Sequence, residues 1–100
     1  MLPESTNVYG VIYSTLSKNE IANRFGQLDW RVSKSSWFDW EITNDYSELI
    51  IEGDEEILIH GAVSPGSFTL LVNTMKEIGL QFSVELYDEA HELITMVDDK

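Results

Sequence analysis

Leu49-Ile50-Ile51-Glu52-Gly53-Asp54-Glu55-Glu56-Ile57-Leu58-Ile59-His60-Gly61-Ala62-Val63 is the stretch on which the fold turns. Two apolar, β-branched runs of strand length, 49–52 and 57–63, flank a charged segment that opens with glycine. Gly53 to Glu56 is therefore either a tight hairpin between two strands or a bulge inside one long strand. The choice sets the number of strands and the topology of the sheet.

Downstream, Ser64-Pro65-Gly66-Ser67 stops the strand and starts a helix, with Ser64 or Ser67 as N-cap. Phe68, Leu71, Val72, Met75 and Ile78 recur at helical spacing, and Gly79 closes the helix in the left-handed region. Phe82, Val84 and Leu86 then alternate with Gln81, Ser83, Glu85 and Tyr87, a strand with one buried face. Asp88 to His91 is turn-like, and Glu92 to Val97 pairs back as a last hairpin strand.

Upstream, Phe38, Trp40 and Ile42 alternate with Trp37, Asp39, Glu41 and Thr43, which predicts a strand with the first set in the core. Asn44 to Ser47 reads as a turn. Ser17 and Glu20 form a capping box, Leu16 and Ile21 occupy staple positions, and Ile21, Phe25 and Leu28 share one face of a helix over 17–27. Gly26 is expected as its left-handed stop. Val8 to Tyr13 is the first strand, and residues 1–7, interrupted by Pro3, are expected to fray.

The order β-α-β-β-(β)-α-β-(β) predicts a single α+β domain over 1–100. It has a mainly antiparallel sheet with both helices on one face, the other face being exposed or meeting a partner. With a bulge at 53–56 this resembles the split-βαβ, ferredoxin-like arrangement; with a hairpin it is a variant of it.

The chain has 100 residues, 43% of them hydrophobic, no cysteine and a formal charge of −12. One domain fits that length, and the apolar content offsets the ordering entropy that keeps acidic tails unfolded. The charge is uneven: residues 1–38 carry a net +1 and residues 39–100 a net −13. Such a field repels phosphates and anionic headgroups, so no direct nucleic-acid binding and no membrane association are expected; cationic proteins or metal ions are the permitted partners. Neither a membrane-length apolar run nor a secretory signal is present, which predicts a cytoplasmic protein. Absence of cysteine excludes a disulfide framework, thiolate metal centre or cysteine nucleophile.

Asp88-Glu89-Ala90-His91 spells the DEAH box of helicases, yet no phosphate-cradling loop accompanies it, and a solvated turn accounts for it. Asp88, Glu89, His91 and Glu92 lack the alternating acids and central glycine of a calcium loop. His60 shares a strand face with Leu58 and Ala62 and has no nucleophile elbow or triad pattern to support catalysis. Ser64 to Ser67 offers free N–H groups to an anion but no neighbouring Lys or Arg, so an ordinary cap accounts for it. No enzyme activity, metal or cofactor is expected.

Trp37-Phe38-Asp39-Trp40-Glu41 is the candidate for binding. If Phe38 and Trp40 are core, Trp37 stands on the outer face of the sheet beside Asp39 and Glu41. An amphipathic aromatic ringed by acids can fill a pocket while the carboxylates pair with Arg or Lys, and Asp54, Glu55 and Glu56 add to that charge. Packing of Trp37 beneath the N-terminal segment or another strand is the competing reading.

The segment Ile57 to Ile94, with its strand, Ser-Pro-Gly-Ser cap, amphipathic helix and Phe-Ser-Val-Glu-Leu-Tyr-Asp-Glu strand end, resembles small acidic α+β immunity proteins of bacterial toxin systems. The resemblance implies a cytosolic inhibitor that plugs a toxin, often a nuclease with a basic cleft. The expected function is thus a non-enzymatic acidic protein that neutralises a basic partner, as an immunity-type inhibitor or a nucleic-acid mimic. The alternative is a small-ligand-sensing or homo-oligomerising ferredoxin-like domain whose bare sheet face pairs with a copy of itself.

Overall fold

In the computed structural model, which describes residues 6–37, 39–53 and 55–99, the Ser17 hydroxyl accepts a hydrogen bond from the Glu20 N–H at 3.1 Å and starts helix α1, Lys18–Gln27. One orphan donor of the first turn is thereby satisfied. Ile21, Ala22 and Phe25 are buried beneath the helix, and Leu16 packs on the core beside them. The left-handed stop is not Gly26, which stays helical. The helix continues to Gln27 with Leu28 as its C-cap, and Asp29 takes the positive φ of 69°. Asp tolerates that region because its short polar side chain adds little steric cost. The turn carries Trp30 inward, where its ring meets Phe25 and Tyr46 edge-on at 5.0 and 5.9 Å.

Strands β1 (Thr6–Ile12), β2 (Arg31–Lys34), β3 (Trp40–Thr43), β4 (Ser47–Glu52), β5 (Ile57–Val63), β6 (Phe82–Tyr87) and β7 (Leu93–Asp99) form one sheet. Its order is β2-β3-β4-β5-β1-β6-β7, and every neighbouring pair is antiparallel. Glu52 faces Leu58 and Ser47 faces Val63, so 53–56 is a true hairpin connection and not a bulge. The ferredoxin-like element survives the added strand. β5 and β6 flank β1, and helix α2, Phe68–Ile78, carries the chain from one to the other. Residues 6 and 7, expected to fray, lie in β1, where Thr6 pairs with β5 and Asn7 with both β5 and β6.

The sequence reading did not contain β2. Arg31-Val32-Ser33-Lys34 has one apolar residue, as suits an edge strand that presents charge to solvent. Nor does the predicted strand begin at Trp37. Pairing starts at Trp40, residue 37 lies in the preceding turn, and Phe38 falls outside the described residues.

Both helices cover the same face. Val8, Ile12, Ile42, Leu49, Ile51, Ile59, Val63, Phe82, Val84 and Leu86 point from the strands to Ile21, Phe25, Phe68, Leu71, Val72, Met75 and Ile78. Each such side chain contributes about 1.5–3 kcal/mol on burial. Ser67 occupies the α2 N-cap position without a side-chain cap bond, and Gly79 ends the helix at φ 92°.

Gly61 fixes the close approach of β5 to β4. Its φ is 150°, and a Cβ there would sit 2.1 Å from the Glu48 carbonyl oxygen. Gly61→Ala is expected to cost at least about 2 kcal/mol of stability in urea denaturation. A change below about 0.5 kcal/mol, the range of a neutral surface substitution, would contradict that approach.

Candidate functional site

Directly opposed residues of an antiparallel pair share a face, so the register reads out the surface that the helices leave open. One row runs Ser33, Glu41, Ile50, His60, Tyr9, Glu85, Met96. A second runs Arg31, Thr43, Glu48, Ala62, Asn7, Tyr87, Leu93. A third runs Glu52, Leu58, Val11, Ser83, Asp98. The open face thus interleaves the carboxylates of Glu41, Glu48, Glu52, Glu85 and Asp98 with apolar and aromatic side chains. Arg31, at its edge, is 3.7 Å from Asp45, and none of the paired residues on this face is a lysine.

At its centre is a depression of about 670 Å³ lined by Asn7, Tyr9, Glu48, His60, Ala62 and Tyr87, with His91 at its lip. The side chains around it are held in place. Tyr9 and His60 stack with centroids 5.8 Å apart and planes 25° from parallel. His60 Nε2 lies 2.8 Å from Glu52 Oε1, an ion pair only when the imidazole is protonated, and without an aligned hydrogen bond. The Tyr87 hydroxyl donates to the Glu85 carboxylate. That bond, with some desolvation, raises the Tyr87 pKa above that of an ordinary phenol.

His60 has an acid beside it, as a general base would require, but its neighbours across the sheet are Ile50 and Tyr9, and along the strand Leu58 and Ala62. None of these is a serine, threonine or cysteine that it could activate. Among the described residues no group of three His, Cys, Asp or Glu side chains could hold a metal ion, and no helix is long and apolar enough to cross a membrane.

The residues singled out from sequence are not brought into one patch. Trp37 is 87% exposed, but in the β2–β3 turn and not on the sheet. Asp39 departs from Glu41: it precedes β3 and accepts hydrogen bonds from Lys18 Nζ at 3.2 Å and Ser36 Oγ at 3.0 Å, tying the turn to α1. Among the described residues of that segment, Glu41 alone is on the open face. Glu55 and Glu56 are exposed in the β4–β5 turn, which the hairpin pattern puts at the same end of the sheet as Trp37; Asp54 is outside the described residues. The misplacement arose from extending the strand period back through a turn. Tyr9, Tyr87 and Glu48 were passed over, although the outward phase of their alternating strands was the signal that locates them.

No known protein family matches the chain, and neither does any curated protein or solved structure. What fold and surface define is a class: a two-helix α+β domain, ferredoxin-like in its β5-β1-β6 unit, with an acidic, aromatic open sheet face.

The Ser36 hydroxyl and the Lys18 ammonium hold the Asp39 carboxyl below the usual aspartate range. Because folding depresses this pKa, the contact's contribution is present above the unfolded value and is lost as pH falls through the folded one. In a ¹³C NMR titration, Asp39 is expected to titrate below the ordinary aspartate value, and Ser36→Ala to move its midpoint upward. An unmoved midpoint would remove the assigned cause.

Proposed function

We propose that this chain is a non-enzymatic acidic binding protein that neutralises a basic protein partner by docking it on the open face of the sheet, as an immunity-type inhibitor of a toxin such as a nuclease or as a nucleic-acid mimic. The observation that carries the reading is the placement of Glu41, Glu48, Glu52, Glu85 and Asp98 among Tyr9, Val11, Ile50, Leu58 and Met96 on one uncovered surface. Carboxylates spaced between apolar side chains match a partner whose Lys and Arg residues border its own apolar groups. Charge steers the encounter, and aromatic burial supplies residence time.

The same charges oppose self-pairing. Two copies stacked face to face would bring like carboxylates together in a desolvated interface, which costs several kcal/mol. A cationic surface removes that repulsion. Trp37, with Glu55 and Glu56 at one end of the sheet, gives the same partner a second, peripheral contact.

The test is capture of a partner at low salt, then measurement of its affinity for wild type and for a folded Glu41→Gln, Glu48→Gln, Glu52→Gln variant. The captured protein is expected to be basic. Its affinity should fall about tenfold between about 50 and 200 mM salt, and the variant should bind about 100-fold more weakly at the lower salt. Unchanged affinity in the variant would overturn the docking face.

A further inference from the structure

We infer that the depression bounded by Tyr9, His60 and Tyr87 is a receptor for a single guanidinium group, an arginine side chain of the basic partner; the assignment rests on the docking face proposed above. Its walls are aromatic and pre-positioned. Tyr9 is 58% exposed yet is stacked on His60, whose Nε2 lies 2.8 Å from Glu52 Oε1. Tyr87 is anchored through its hydroxyl to Glu85. Glu48 brings a carboxylate into the lining itself, while Ala62 and the Cβ-less Gly61 keep part of it small and apolar.

The charge of the site selects a cation. Glu48 lines it, Glu52 and Glu85 lie behind its aromatic walls, and neither Lys nor Arg is among the lining residues. An anion would meet repulsion from all three acids.

Among cations, the aromatic walls favour guanidinium over ammonium. The guanidinium plane is weakly hydrated, stacks on a phenol or imidazole face and presents paired N–H donors to one carboxylate. A lysine ammonium is compact and strongly hydrated and gains less from a ring that remains half in solvent. The walls are already fixed before the ligand arrives, so little ordering entropy is lost when it enters.

The experiment is an NMR titration of the intact protein with two peptides of equal charge, Ac-Gly-Arg-Gly-NH₂ and Ac-Gly-Lys-Gly-NH₂, at low salt. The arginine peptide is expected to give saturable shifts of the Tyr9, His60 and Tyr87 ring signals, with a dissociation constant about fivefold or more below that of the lysine peptide. Tyr9→Ala and Glu48→Gln should each weaken it about tenfold. Should Tyr9→Ala unfold, Tyr9→Leu keeps the apolar bulk and removes only the ring, with the same loss expected. Equal affinities, or unsaturable shifts scattered over the acidic strands, would overturn the receptor while leaving the wider electrostatic docking face intact. If neither peptide shifts any open-face signal, both readings fall.

Discussion

Two helices of ten and eleven residues cannot shield both faces of a seven-stranded sheet. Each is about 10 Å across and about 15 Å long, against a molecule 32 Å in its longest extent. The chain resolves this by placing both on one side, where Phe25, Leu71 and Met75 close over Leu49, Ile51, Ile59 and Val84. Every other property of the molecule follows from the face that remains. Its side chains must be compatible with water, and here water is met by acids set between aromatic and aliphatic groups.

That composition distinguishes the open face from the ordinary wet side of an antiparallel sheet. Solubility alone would be served by a mixture of Lys and Glu at these positions. Acids without lysine, set around a stacked Tyr9–His60 pair, are what the proposed cationic partner would meet. The Tyr9–His60 stack and the anchoring of Tyr87 to Glu85 give it shape as well as charge. The Lys18–Asp39–Ser36 contact belongs to a different task, fastening the β2–β3 turn to α1.

Much of the fold was legible because strong local signals agreed with the tertiary result. The Ser17 cap, the Phe68 to Ile78 stripe, the Gly79 stop and the alternation through Phe82, Val84 and Leu86 each stood where the structure has them. The hairpin at 53–56 was an open choice, since a four-residue charged segment with glycine serves a turn or a bulge equally until strand partners are known. β2 escaped because an edge strand with only Val32 to bury carries almost no periodic signal. The site was harder. The outward phase of Glu41 and the face that His60 shares with Leu58 and Ala62 followed from alternation, but Trp37 and Asp39 were placed by carrying period two across a turn that sequence does not mark. Tyr9, Glu48 and Tyr87 meet only through the β4-β5-β1-β6 order, and that long-range pairing is not written in any one segment.

We propose that the open face, and not the helices, receives the partner, with the turn bearing Trp37 at the periphery of the contact. Hydroxyl-radical footprinting of the complex tests it most directly, because the oxidisable side chains of the two faces differ. Tyr9, Tyr87 and Met96 are expected to lose reactivity on binding while Leu70, exposed on α2, keeps its own. Undiminished oxidation of Tyr9 and Tyr87, with protection at Leu70, would contradict it.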